Sequence, residues 1–273
     1  MKIQSVLDVL LTATGKDYAI YSPAFLKATV QNRMKDCGLS SSHDYAGLLL
    51  DNQQELDNLI GSFHVTYTHF FRNILDMALF EEYVLPELIR SKEHHQEPSV
   101  RIWSAGCSYG PEAYSLAMLA DARAEKSGIT IPVMIFGTDI SQKALTNART
   151  ASYDYEAVKQ VKLWYIEQYF LFKKTKFQVV DKIKQMVEFS FGDLTDPTFS
   201  SPPAGIFADF DFISCSNLLI YYSPDVQMLI LQKLYQALVN KGYLLVGETE
   251  RAIVQKFGRF RLLTPVGNIF IKN

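Results

Sequence analysis

The chain carries two hydrophobic periods, and one gives way to the other near residue 100. Up to about residue 90, apolar positions recur every three or four residues, the spacing of helices with one buried face. SVLDVLLTATG ends at Gly15. SPAFLKATVQNRMKDCG opens on Ser22-Pro23, a cap followed by a first-turn proline, and closes at Gly38. SSSHDYAGLLLDNQQELDNLIGSF supplies further helices, and ILDMALFEEYVLPELIRSK, after THFFRN, is strongly amphipathic. The stretch EHHQEPS, 93–99, is polar and holds a proline, so it reads as a linker.

From residue 100 short apolar runs alternate with amphipathic ones. VRIWSA, VMIFGTDI, VEFSFGDL, DFDFISCSN and GYLLVGE read as strands. PEAYSLAMLADARAEK, SQKALTNARTAS and SPDVQMLILQKLYQALV read as helices, and FRLLTPVGNIFIKN as a closing hairpin. This alternation predicts an α/β fold with a mostly parallel sheet covered by helices. An irregular insertion lies at roughly 152–185, and FKKTKFQVVDKIKQM within it fits a short hairpin or a small helix. The predicted organisation is a helical domain and linker helix over 1–92, then an α/β domain over 93–273.

Composition excludes several classes. With 273 residues, 48% hydrophobic and 21% charged, the chain can bury a large core. A net charge of −2 gives no bulk reason to expect a nucleic-acid partner. Cys37, Cys107 and Cys215 are odd in number and share no metal spacing, which suggests reduced thiols in the cytoplasm. No secretory leader or membrane span is expected, since no apolar run approaches the roughly 18 residues a span needs. None of His43, His64, His69, His94 and His95 has zinc-like spacing, so no metal is expected.

In open parallel sheets, ligands bind beyond the carboxyl ends of the strands. The polar residues there are Ser104–Gly110, Asp139, Asp193 and Ser214–Asn217. SAGCSYGPEAYS joins a strand to a helix, and its glycines let the backbone approach a ligand. Glu112, in the first helical turn, would repel a phosphate and suits a cationic or zwitterionic ligand; taken alone, it reads more readily as a helix-capping acid. Asp139 follows the glycine loop by about 30 residues, the place of an acid that binds ribose hydroxyls. It, or Ser141, can also simply cap the next helix. Asp193 has the same two readings. Three acids at three strand ends point to a nucleoside bearing a positive charge. In THFFRN, Arg72 follows two aromatics that read as core residues.

THFFR, WSAGCSYGPEAYSLAM, FGTDIS, FGDL, CSNLLIYY and GYLLVGETE stand in the order and spacing of the chemotaxis-receptor glutamate O-methyltransferases. The chain resembles this CheR family over nearly its whole length. AFLKATVQNRMKDCGL and DYAGLLLDNQQELDNLIGSF are similar to the family's N-terminal helical domain. The resemblance implies a Rossmann-like class I S-adenosylmethionine-dependent methyltransferase domain with an N-terminal all-helical domain and a small inserted β-subdomain. It implies S-adenosylmethionine as cofactor and S-adenosylhomocysteine as product. Thr66, Thr68, Arg72, Glu112, Asp139, Asp193, Leu194, Ser216 and Asn217 would line the cofactor site. Glu112 would face the methionine amino group or the nearby backbone, and Asp139 the ribose. Arg72 and Tyr221 would steer the acceptor carboxylate, with Tyr221 near the transferred methyl. The implied partner is a chemoreceptor-like protein, methylated by a monomeric cytoplasmic enzyme. Several positions depart from the family pattern, among them the loop Ser108-Tyr109-Gly110-Pro111-Glu112-Ala113-Tyr114-Ser115, where the family has Ser-Thr-Gly-Glu-Glu-Pro-Tyr-Ser and Pro111 suits a first helical turn. Ser216 stands where an arginine is usual, Thr66 where asparagine is frequent, and Thr29 thins a basic helix to Lys27, Arg33 and Lys35. Those departures leave open a noncatalytic cofactor-binding module and a different methyl acceptor.

Overall fold

The computed structural model describes residues 3–64, 68–128, 131–203 and 209–273. The chain forms two compact units, Met1–Val65 with Leu219–Leu229, and Thr66–Leu218 with Ile230–Asn273.

The first unit is helical. It holds α1 (Gln4–Thr14), α2 (Pro23–Asp36), α3 (Ser42–Asp51) and α4 (Gln53–Ser62), with a 3-10 turn at Tyr18–Ile20. Local sequence sets the helix ends. Gly15 closes α1 at φ 68°, and Ser22, Ser41 and Asn52 cap the next three helices through their side chains. Leu10, Val30, Leu49 and Leu59 are buried and form the apolar interior. Thr29 is buried too, on the inner face of α2, while Arg33 is tied to Glu55 and Asp36. Lys27 and Lys35 are therefore the exposed, unsequestered cations of the basic set read from that helix. The later segment joins this unit through main-chain bonds: Ser22 N–H donates to Tyr221 O and Ser223 N–H to Ile20 O, each at 2.8 Å. The rings of Tyr21 and Tyr222 stack with centroids 5.3 Å apart.

The second unit opens with α5 (Ile74–Leu79), a π-helical turn at Phe80–Val84 and α6 (Leu85–His95). Pro86, in the first turn of α6, cannot donate a backbone bond, and the wider turn lies directly before it. Helix α6 runs into the stretch expected as a linker. Its Lys92 ammonium is buried, bonded to Asp211 at 2.8 Å and to Glu97, and this anchors the helix end beyond the amphipathic pattern.

The α/β portion then follows the predicted alternation: β1 (Val100–Ala105), α7 (Pro111–Ser127), β2 (Val133–Asp139) and α8 (Gln142–Thr150). The insertion contains both forms anticipated for it. It comprises β3 (Ser152–Tyr153), α9 (Tyr155–Val158), α10 (Leu163–Tyr169), the β4 (Phe170–Lys173) and β5 (Lys176–Val179) hairpin, and α11 (Asp181–Lys184). Strands β3, β5 and β4 make a separate small sheet. After it come β6 (Val187–Phe191), β7 (Phe210–Cys215), α12 (Pro224–Ala237), β8 (Leu238–Val246), α13 (Arg251–Phe257) and the hairpin β9 (Phe260–Leu262) and β10 (Ile269–Lys272).

The main sheet runs β6-β2-β1-β7-β8-β10-β9, parallel through β8 and antiparallel at the closing hairpin. Strand β7 is buried along its whole length, as a central strand covered on both faces must be. The chain winds outward from β1 to β6 and then returns to the other side of β1. This reversal between β1 and β7 opens the crevice where such sheets bind ligands.

Candidate active site

The glycine loop leaves β1 at that reversal. Gly106 and Gly110 have φ of 78° and 91°, which an L side chain rarely adopts. At Gly110 a Cβ would also stand 3.0 Å from the Phe189 ring and 3.1 Å from Ala148. Gly110 lies at the N-terminus of α7, and Pro111 fits its first turn. The next residue, Glu112, accepts a hydrogen bond from Ser104 Oγ at 2.7 Å. Its carboxyl is held above the usual range. Desolvation is the main cause, opposed by bonds from Ser104 and Ser214 and by the Arg72 charge, and reinforced by the charge of Glu250. Glu112 is thus bonded across to β1, a contact beyond a helix-capping role.

Asp139 takes the local role its position offers and adds a second contact to the glycine loop. One oxygen accepts from Ser141 N–H at 2.8 Å in the turn into α8, while Ser141 itself caps that helix. The other accepts from Ser108 N–H at 2.9 Å, inside the glycine loop. Asp193 accepts from Thr195 N–H at 2.8 Å and from its hydroxyl at 2.6 Å. Leu194 is buried, and its carbonyl receives the Lys233 ammonium at 2.9 Å; that ammonium also reaches Asp196 O.

Arg72 is held by the segment before α5. Phe71 N–H donates to Ser115 Oγ at 2.9 Å, and that hydroxyl donates to Pro111 O at 2.7 Å. Ser115 is fully buried, so it works as a fixed relay between the arginine's segment and the first turn of α7. Phe71 and Asn73, on either side of Arg72, have φ of 52° and 58°. For a bulky residue such as Phe71 that conformation costs on the order of 1–3 kcal/mol, a strain typical of functional segments. Thr68 and His69 line a cavity of about 420 Å³ with Tyr109, Pro111, Tyr153 and Lys176. Burial pushes the His69 imidazole down, and the charges of Arg72 and Lys159 push the same way.

Ser216 Oγ lies 3.4 Å from Ser214 Oγ. Asn217 has φ of 60°, donates its N–H to Glu250 at 2.8 Å, and keeps a buried side-chain Oδ1 that makes no hydrogen bond. Thr66 lies outside the described residues. Tyr221 sits in the 3-10 turn Leu219–Tyr221 of the first unit, its ring 4.8 Å from that of Phe25. The second unit therefore brings together Arg72, Glu112, Ser216 and Asn217 with Ser104 and Ser214, and holds the glycine loop through Asp139. Ser115 and Glu250 lie within WSAGCSYGPEAYSLAM and GYLLVGETE, but no role was read for them there. Glu250 had one available signal, as an acid just past the end of a buried strand.

Such a set fits S-adenosylmethionine, which brings an ammonium, a sulfonium and ribose hydroxyls. Glu112 offers a carboxylate to a cation, and the Asn217 oxygen is a buried acceptor awaiting a donor. Among the described residues, no helix is long and apolar enough to cross a membrane.

A family model described as the CheR methyltransferase, SAM binding domain, matches residues 66–264, and one for its all-alpha domain matches residues 1–63. A chemotaxis protein methyltransferase of Borreliella burgdorferi is 32% identical over 255 residues, 91% of this chain and 87% of that protein. One from Pseudomonas aeruginosa is 33% identical over 187 residues, 67% of this chain and 65% of its own. An uncharacterized 104.1 kDa protein of Rhodobacter capsulatus is 27% identical over 95% of this chain, which spans only 26% of that protein's length. With both parts of the pattern matched in sequence, the chain belongs to the CheR methyltransferase family and carries its S-adenosylmethionine-binding domain.

Proposed function

We propose that the protein transfers a methyl group to glutamate side chains of a chemoreceptor-like protein, leaving methyl esters and S-adenosylhomocysteine. Bound S-adenosylmethionine supplies an electrophilic methyl on a sulfonium. Glu112, Asp139, Asn217, Thr68 and the Asp193–Leu194 turn are the residues assigned to holding it, and Thr66 and Ser216 are assigned with them on the family resemblance. The observation that carries the reading is the pairing at the sheet's reversal point of a desolvated Glu112 with the unpaired buried acceptor of Asn217.

An acceptor glutamate has an ordinary pKa of about 4.3, so it is already a carboxylate at neutral pH and needs no general base. The protein's task is alignment, a contribution worth up to about 7–11 kcal/mol in favourable cases. Arg72 is assigned to orient the acceptor carboxylate; Tyr221 is assigned to the same task on the family resemblance. Joining an anion to a sulfonium cancels charge, so exclusion of water favours the step. The protein is proposed to act as a cytoplasmic monomer.

The test is methyl transfer from radiolabelled cofactor to membranes enriched in candidate chemoreceptors, with base treatment releasing volatile methanol. Base-labile label that disappears with Arg72→Ala supports the reading. Label stable to base indicates a different acceptor atom and overturns it. A second reading, a noncatalytic module reporting cofactor state to a partner, draws on Ser216, which offers a hydroxyl where the family resemblance implies a fixed cation. It predicts tight S-adenosylhomocysteine binding and no transfer to any receptor.

A further inference from the structure

Glu250 lies in the 3-10 turn Glu248–Glu250 just past β8, with no exposed surface. One carboxylate oxygen, Oε2, accepts from Gly247 N–H at 2.7 Å and from Asn217 N–H at 2.8 Å. It therefore joins the ends of two neighbouring parallel strands, β7 and β8, through main-chain donors. Charge on the acceptor roughly doubles the strength of such bonds. The junction is close-packed. A Cβ at Gly247 would stand 2.8 Å from Asn217 Nδ2 and 2.9 Å from Glu250 Oε2. Asn217 is in the left-handed region at φ 60°, where asparagine is tolerated but not favoured. Its Oδ1 is buried and unpaired, a state that costs free energy until a donor arrives.

We propose that Glu250 is a positioning residue for the cofactor. Its carboxylate fixes the Asn217 turn and so holds that side-chain oxygen ready for a hydroxyl or ammonium donor. The inference rests on the cofactor-binding reading above and adds to it the residue that preorganises one wall of the pocket. Preorganisation raises affinity because the ordering cost is met during folding and not at binding. A residue that only tied the strands together would support the fold and leave affinity alone.

The test is calorimetric titration with S-adenosylhomocysteine, beside thermal unfolding, for wild type and four single variants. Glu250→Gln keeps the reach and one acceptor oxygen. Glu250→Asp keeps the charge and shortens the reach, Glu250→Ala removes both, and Asn217→Ala removes the presented oxygen. Affinity should fall at least about tenfold for Ala and Asp, with Gln nearest to wild type. Pairing each Glu250 variant with Asn217→Ala should weaken binding no further than Asn217→Ala alone, since both act through one group. Wild-type affinity in Glu250→Asp, or a double variant whose loss is the product of the two single losses, overturns the proposal even if the Ala variant does not fold. Absence of binding by wild type overturns the cofactor reading itself, and is seen before any variant is compared.

Discussion

The carboxylate of Asp139 bonds the backbone N–H of Ser108 at 2.9 Å, and so the acid at the end of β2 holds the glycine loop that leaves β1. Ser108 has φ of 52°, so this loop residue needs an external partner to stay in place. On the cofactor reading proposed above, Asp139 acts through the shape of this loop as well as through its assigned place at the ribose. Asp139→Asn can satisfy only one of its two backbone donors, Ser108 or Ser141, and should weaken S-adenosylhomocysteine binding about tenfold. Asp139→Ala leaves both unsatisfied, a loss of roughly 1.5–3 kcal/mol for each charge-assisted bond, and should abolish measurable binding. Calorimetry of the two variants checks the order; equal losses would show that the loop does not depend on Asp139.

On the proposed cofactor reading, Glu112 should give binding a pH dependence of definite sign. Its carboxyl is raised, chiefly by desolvation, while an ammonium or sulfonium favours its ionised form. Affinity for S-adenosylhomocysteine should therefore rise with pH through this raised value, with proton release on binding below it. Stability runs the other way. The folded protein holds this proton more tightly than the unfolded chain, so Glu112 favours folding at low pH and loses that contribution as pH rises through its folded value. Titrations between about pH 4 and pH 8, in buffers of different ionisation enthalpy, measure the release. Glu112→Gln should flatten the profile.

His69 should leave a separate mark on stability. Burial lowers its imidazole below the ordinary value of 6.5, and Arg72 and Lys159 lower it further. In the window between the folded and unfolded values, the unfolded chain binds more protons, so stability increases as pH rises through it. Below the window, folding must bring a cation up to two others. Denaturant unfolding across mildly acidic pH should show this slope, and His69→Asn should reduce it. A slope unchanged by the substitution would assign the effect to other groups.

The elements of this fold were legible because apolar periodicity changes cleanly at residue 100, and Gly15, Ser22-Pro23 and Gly110-Pro111 mark real helix ends. The bounds of α6 were not, because Lys92 is buried against Asp211, 119 positions later, a contact that no local pattern announces. The same holds in the site. Glu112 follows the glycine loop and Asp139 ends β2, so both invite attention, whereas Glu250 and Ser115 act on main-chain groups 33 and 44 residues away. Thr29 shows the reverse limit: as a missing cation it suggested surface chemistry, yet the position faces the helical interior.

Glu55 is the residue on which the helical unit should prove most sensitive. Its two oxygens bind the Arg33 guanidinium, and Oε1 also accepts from Tyr45 O–H at 2.6 Å. Burial raises its carboxyl, but the bonds from Arg33 and Tyr45 outweigh this and hold it low. Its contribution to stability is therefore present above the unfolded value and lost as pH falls through the folded one. In Glu55→Ala the two partners fare differently. Arg33 keeps 21% side-chain exposure and can turn to water, so the full 3–5 kcal/mol of a broken buried pair does not apply. Tyr45 has no exposed surface, and its hydroxyl loses its acceptor. The expected loss is about 2–3 kcal/mol, with roughly 1 kcal/mol recovered when Tyr45→Phe removes the stranded hydroxyl. Denaturant unfolding of the single and double variants measures both terms. No recovery in the double variant would place the whole cost on Arg33.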